Sequence, residues 1–175
     1  MAIKDVLLIG NPLLRRESSE VTDFNLELRE ILQDLKDTLT HLQETKKIGR
    51  GLAAPQIGHM KKVILFQLPD RSFVMINPKI VWKSEETFQV WDSCFCFDVA
   101  FFVQVERHKK IRVGYQDENG NAKTEEFTGN LSELVQHEVD HLYGILATDH
   151  LKDVTTIMMR EEWEKMMTQR KFTIF

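Results

Sequence analysis

The 175-residue chain has two cysteines, Cys94 and Cys96, too few and too close together for a disulfide framework. A reducing cytoplasm is the simplest setting for it, and a thiol there is free to ligate metal. Positive charge is not in excess: a net charge of −4 leaves no electrostatic footprint for nucleic acid. No apolar run is long enough to cross a bilayer. Met1-Ala2-Ile3-Lys4-Asp5 lacks the charged, apolar, small-residue order of a secretory signal, although an organelle address ahead of it is compatible with the same sequence. Internal repeats, low-complexity tracts and linkers are missing too. What remains has ordinary apolar and charged fractions, and its length favours a single domain, 1–175, with its own core.

Against that plain background, His137-Glu138-Val139-Asp140-His141 stands out. On a helix, positions i and i+4 share one face, so His137 and His141 can offer two imidazole nitrogens to one ion. Glu138, one residue round, is then close enough to act as a base on water at that ion, which is the pattern of a hydrolytic metal site. The flanks predict the helix: Asn130 as cap, Glu133 reaching back to it, Leu134, Val135 and Leu142 as the apolar side, Gly144 as the stop. The competing reading is a chance match on an amphipathic helix with both histidines exposed.

The rest of the chain supplies a scaffold. Residues 5–21 read as an extended arm with a turn at Gly10-Asn11-Pro12. Asp23 or Asn25 caps a packing helix whose Leu28, Ile31, Leu32, Leu35, Leu39 and Leu42 recur at three- and four-residue steps. Gly49, Gly51 and Gly58 bracket Leu52-Ala53-Ala54-Pro55-Gln56, small residues that permit close backbone approach. Gln56, the one long polar side chain there, is either a donor aimed into a site or a satisfied member of a tight loop. Strands are expected over 63–68, 73–76, 79–82, 88–91, 99–106, 110–115 and 122–127, with the 73–82 stretch broken at Asn77-Pro78 and a hairpin at Asp117-Glu118-Asn119-Gly120. A last helix is expected over 154–170. The order predicts an α+β fold: short antiparallel strands around a central metal-binding helix, an N-terminal packing helix and a C-terminal helix.

Two helical histidines leave a zinc-like ion in need of one more protein ligand if water is to stay bound. Cys94, Cys96, His41, His59, His108 and His150 are the candidates. The C-x-C spacing fits equally a pair of small core residues, and spacing alone does not choose between the two sulfurs.

Taken together, Gly10-Asn11-Pro12-x-Leu14-Arg15, Gly49-Arg50-Gly51-Leu52-Ala53-Ala54-Pro55-Gln56-Ile57-Gly58, Asn77-Pro78 and His137-Glu138-Val139-Asp140-His141-Leu142-x-Gly144 resemble the peptide deformylase family over most of the chain. The resemblance implies one divalent ion on Cys94, His137 and His141, ferrous in the cell and replaceable by zinc or nickel. It implies Glu138 as general base and acid, and Gln56 with the Phe95 backbone N–H as oxyanion donors. Arg107 would pair with acidic residues near the helix, Asp140 among them. Gly49, Gly51 and Leu52 would receive a nascent N-formylmethionyl peptide as an added strand. Its methionine would sit near Ser93, Leu134 and Val135, and a transient ribosome contact would follow. The second family motif, usually Glu-Gly-Cys-Leu-Ser, reads Asp92-Ser93-Cys94-Phe95-Cys96 here, and Glu133 stands where many members carry arginine or an apolar residue. Both departures bear on substrate preference rather than reaction type. The rival readings are a metallopeptidase, opposed by the glycine-rich segment, and a non-catalytic peptide-binding relative, which would need neither Glu138 nor Gln56.

Overall fold

A computed structural model of the chain describes residues 3–172. Two helices sandwich one sheet. Helix α1, Leu26–Lys46, is capped by Asn25, whose side chain accepts from the Leu28 N–H, and it ends on Lys47 in the left-handed region. Helix α2, Asn130–Leu142, lies on the other face. Between them run β1 (Gly51–Ala53), β2 (Val63–Gln67), β3 (Ser72–Lys83), β6 (Lys110–Gln116) and β7 (Ala122–Thr128), antiparallel in that spatial order. A second sheet pairs β4 (Thr87–Asp92), β5 (Phe101–His108) and β8 (Met158–Met159). Helix α3, Arg160–Phe172, follows β8 directly.

The period-two alternation of side chains across a strand sorts the core. Val63, Leu65 and Ile76 face Leu28, Ile31, Leu35, Leu39 and Leu42 of α1. Their neighbours Ile64, Phe66 and Met75 face the opposite way, onto Leu134, Val135, Val139 and Leu142 of α2. A third cluster joins Val103 and Val105 of β5 to Cys94, Cys96, Phe97, Leu14 and Leu146. The segment carrying the cysteines is thus clamped between the second sheet and the end of α2. The fold class is the α+β arrangement expected from the sequence.

Local expectations are corrected at four places. The stretch around Asn77-Pro78 does not break into two strands: β3 runs through it, with a register shift between Ile76 and Lys79 and Asn77 at φ 51°. The Asn77 side chain accepts from the Val21 N–H and donates to the Val21 carbonyl and to Gln116, which holds that bulge in place. The strand expected from residue 99 starts at Phe101, because Asp98 and Val99 turn the chain at positive φ. The last helix starts at Arg160, after the short strand β8, rather than at 154. The Asn130–Glu133 capping box does not form: the cap of α2 is Gly129 at φ 56°, with no side-chain cap bond, and Glu133 turns instead to Arg50. Gly144 does stop α2, in the left-handed region at φ 71°, and packs so close to Arg15 that a Cβ there would lie 2.6 Å from that residue's carbonyl carbon.

Candidate metal centre

On α2 the i, i+4 spacing does what the helix geometry requires. The Nε2 atoms of His137 and His141 lie 3.2 Å apart, both side chains buried, and Cys94 Sγ lies 3.3 Å from His141 Nε2. Bonds of about 2.0 Å to nitrogen and 2.3 Å to sulfur at a tetrahedral angle would separate two nitrogens by about 3.3 Å and nitrogen from sulfur by about 3.5 Å. The His137–His141 and Cys94–His141 separations therefore each suit one small divalent ion. The group whose donor atoms all lie within 4.8 Å of one another is Cys94, Cys96 and His141, a candidate site for a single ion that includes the second sulfur and not His137.

His137 is oriented from behind, whereas His141 Nδ1 is buried without a hydrogen-bond partner among the described residues. His137 Nδ1 is 2.8 Å from Asp92 Oδ1, which leaves Nε2 facing the site. Asp92 accepts from Arg107 at 3.1 Å, Arg107 donates to Asp140 at 2.6 Å, and His150 sits 2.8 Å from the same Asp140 oxygen. Arg107 and Asp92 are each almost fully buried, at 3% and 2% exposure. This chain of alternating charge ties β4, β5 and α2 together beneath the histidines. It gives Arg107 the acidic partner expected of it, Asp140, and adds Asp92, which the sequence reading treated only as a shaper of the pocket. A carboxylate holding the far nitrogen of a ligating histidine is the usual support for such a ligand.

The electrostatics follow from burial against these partners. Burial works to raise the Asp92 carboxyl, but the charges of His137 and Arg107 pull it down to about 2. Burial opposes charge on His137, yet Asp92 wins and lifts it to about 9. Burial and the positive His137 beside it push His141 down to about 3. Burial, together with Cys96, raises the Cys94 thiol, while the bond from Cys94 lowers Cys96.

Glu138 is the remaining reactive group. Its carboxylate is 3% exposed, and Oε2 finds no hydrogen-bond partner among the described residues. Burial raises it to about 7, with Asp92 and Glu133 adding to the rise and His137 opposing it. A carboxyl poised near neutrality suits proton transfer at cellular pH. Gly51 makes room for it: a Cβ there would sit 2.8 Å from Glu138 Oε1. Gln56 answers the either-or posed by its sequence. Its Oε1 accepts from the Ala53 N–H at 2.7 Å, which turns its NH2 toward Cys94 Sγ at 3.4 Å and Cys96 Sγ at 3.6 Å. The tight loop and the donor aimed at the site are the same feature.

A cavity of about 330 Å³ opens over this centre. Gly49, Gly51, Ser93 and Leu134, expected to contact substrate, line it together with Phe95, expected as an oxyanion donor. Leu52 and Val135 do not: both are buried in the core on opposite faces of the five-stranded sheet. The Ser93 hydroxyl is already committed, donating to the Phe101 carbonyl at 2.7 Å. Arg50, Arg160 and Trp163 are among the wall residues that the sequence reading did not assign to the site, whereas Glu133 was expected to bear on substrate preference. Arg50 and Glu133 pair across the cavity at 3.0 Å, and Arg160 and Trp163 reach in from α3. No local pattern marks such residues, since each pairing joins parts of the chain distant in sequence.

The described geometry agrees with comparisons against known proteins. A family model described as polypeptide deformylase matches residues 3–156. The chain belongs to the polypeptide deformylase family. Over 156 residues it is 33% identical to a peptide deformylase of Thermotoga neapolitana, covering 89% of this chain and 92% of that one. It is 36% identical to peptide deformylase 2 of Clostridium perfringens, covering 88% and 96%. A crystal structure of peptide deformylase from Thermotoga maritima superposes with a TM-score of 0.80 at 31% identity, over 87% of this chain and all of that one. The family match ends before α3, so Arg160 and Trp163 lie beyond it.

Proposed function

We propose that the protein removes the formyl group from N-formylmethionyl peptides, releasing formate, with Cys94, His137 and His141 holding one divalent ion. The observation that carries this reading is the unpartnered Glu138 carboxylate, raised to about 7, beside converging sulfur and nitrogen donors and the Gln56 amide. A bound ion with this donor set supplies Lewis-acid activation that brings water into reach of a weak base near neutral pH. Glu138 takes the proton of the attacking water. Gln56 Nε2 and the Phe95 N–H donate to the formyl oxygen as it gains negative charge, a contribution often worth about 3–4 kcal/mol per donor. Glu138 then returns its proton to the leaving amine, so that formamide and water become formate and a free N-terminus. Burial of Glu138 keeps the carboxylate unsolvated and its basicity high.

Thiolate and imidazole donors suit iron, zinc or nickel, with ferrous iron as the cellular ion. Cys94 is the ligand in this reading because its sulfur lies 3.3 Å from His141 Nε2. The substrate backbone adds to the β1 edge at Gly49–Gly51, and nascent chains place the protein in the cytoplasm with transient ribosome contact. No described helix is long and apolar enough to cross a membrane. The test is incubation of ion-loaded protein with formylated and acetylated Met-peptides. Formate from the first alone supports the reading; cleavage inside the peptide replaces it with a peptidase, and no turnover with the ion bound replaces it with a binding protein.

A further inference from the structure

We propose that Arg160 is a specificity-determining residue of this cleft, receiving a carboxylate that the substrate carries downstream of its formylated methionine. The inference rests on the deformylase reading and extends it from the methionine to the peptide that follows.

Arg160 is held in the cavity wall by its stem rather than by its charged end. Its backbone N–H donates to the Ala100 carbonyl at 2.9 Å, and its Nε donates to the Val99 carbonyl. The guanidinium rests over the Phe102 ring, 4.6 Å from its centre, and the same ring stacks on Trp163. Those contacts fix where the guanidinium lies and use only one of its N–H donors. The two Nη atoms have little to hold among the described residues. Nη2 reaches Ser93 Oγ only at 3.5 Å, and that hydroxyl is committed to the Phe101 carbonyl. Nη1 lies 3.7 Å from Glu164, a carboxylate 58% exposed one turn along α3. An ion pair of that length and exposure contributes little and gives way easily. A clamp on Val99 and Ala100 accounts for Nε and the backbone N–H; it does not account for a planar fork presented beside Ser93.

The charges around the cavity leave this cation unmatched within the wall. Asp92 is taken by His137 and Arg107, Glu133 is taken by Arg50, and Glu138 is the proposed base. The complement therefore arrives with the substrate. Parallel N–H groups on a planar fork match the two oxygens of a carboxylate. The aromatic backing of Phe102 and Trp163, and a side chain only 26% exposed, limit the screening of such a pair by water. Arg160 lies beside Ser93, which precedes Cys94, and an extended peptide advances about 3.3 Å per residue. The carboxylate it meets thus lies within a few residues of the methionine: a second or third side chain, or the chain end of a short peptide. The methionine keeps its place by Leu134, so this selection adds to that of the first side chain and does not replace it.

The experiment measures kcat/KM of ion-loaded protein on three matched pairs of formyl-Met peptides. Formyl-Met-Asp-Ala amide is set against its Asn counterpart, formyl-Met-Ala-Asp amide against its Asn counterpart, and formyl-Met-Ala-Ala free acid against its amide. Wild type is expected to favour the carboxylate in at least one pair by about tenfold, the scale of a charge-assisted hydrogen bond. The pair that shows the preference identifies the source of the carboxylate. Arg160→Gln should abolish that preference. Glu164→Gln, which removes the rival anion from an exposed position, should sharpen it, so the test does not depend on Arg160→Gln folding. Ratios between matched peptides are insensitive to a general loss of activity. No preference in any pair, or one unchanged in both variants, overturns the proposal and leaves Arg160 a clamp on Val99 and Ala100. Binding of the N-acetyl versions of the same peptides, read from the fluorescence of Trp91 and Trp163 in the cavity wall, is scored independently. If no formyl-peptide is turned over, the deformylase reading fails, and binding still decides the inference: tighter binding of the carboxylate member, lost in Arg160→Gln, supports it, and equal binding within every pair overturns it.

Discussion

Gly51→Ala probes Glu138, the carboxylate proposed as the base, without replacing it. Gly51 sits in β1 opposite Phe66, and its φ lies outside the left-handed region, so alanine adopts the backbone without strain. The added Cβ would meet Glu138 Oε1 at 2.8 Å, Cδ at 3.0 Å and Cγ at 3.0 Å. Carbon contacts relax only near 3.5 Å, so Glu138 must retreat by about 0.5–1 Å. Rotating the carboxylate alone does not relieve the clash, because Cγ is also involved. Misplacement of a reacting group by about 1 Å costs roughly 10²-fold in rate, equivalent to about 2.7 kcal/mol of barrier. The expected outcome is a fall in kcat of about that size with ion content and melting temperature near wild type. Steady-state kinetics on formyl-Met peptide, elemental analysis and thermal unfolding measure these. Gly114→Ala is the control, since its Cβ would meet only Val81, at an ordinary 3.7 Å. A Gly51→Ala enzyme within about threefold of wild type would refute the placement of Glu138 at the reacting centre, because that is far short of the expected loss.

Four further outcomes are expected. Glu138→Ala abolishes formate release but keeps the ion; a variant that loses the ion makes Glu138 a ligand instead. Cys94→Ala strips or weakens the ion while Cys96→Ser retains it, and the reverse result, read by elemental analysis, identifies Cys96 as the ligand. Arg107→Met leaves two buried carboxylates without their shared cation, so about 3–5 kcal/mol is lost and thermal unfolding shifts down by about 6–20 °C; an unshifted transition shows that the network contributes nothing. Burial and then the Glu125 carboxylate raise Tyr115 to about 12. The folded state therefore holds this proton more tightly than an unfolded phenol of about 10, and the contribution is present below about pH 10 and lost as pH rises through about 12. In Tyr143→Phe, which leaves Tyr115 as the one tyrosine, the phenolate absorbance should appear near that pH, and a normal phenol titration refutes it.

What was legible in the sequence was whatever is encoded locally. The three- and four-residue steps from Leu28 to Leu42 describe α1 because that periodicity is the buried face. His137 and His141 meet because helical spacing alone brings them together. Asn77 defeated the reading because its conformation is set by Val21 and Gln116, 56 and 39 positions away. Glu133 did so because Arg50, 83 positions away, competes for it more successfully than its own helix start. Leu52 and Val135 sit beside true wall residues in sequence, but alternation along the strand and rotation about the helix turn them into the core. Asp92 was visible as an acid near the cysteines, yet its work on His137 required knowing that β4 passes beneath α2.

In the proposed reading, chemistry and selection are carried by different parts of the molecule. The donors, Glu138 and Gln56 stand on α2 and on two short turns braced by the buried Asp92–Arg107–Asp140 chain. All of these lie within the 3–156 family match. The wall over them is assembled from Arg50 on the approach to β1, Glu133 on α2, and Arg160 and Trp163 on α3, with Trp163 stacked on Phe102 at 4.3 Å between ring centres. Only the last two lie outside that match, and none of the four belongs to the donor set. A substitution in the wall alters which side chain is accommodated while leaving the ion, the base and the oxyanion donors in position. That separation allows one reaction to be retained while its substrate changes, and it explains why motifs sufficient to identify the family carry so little information about what this cleft prefers.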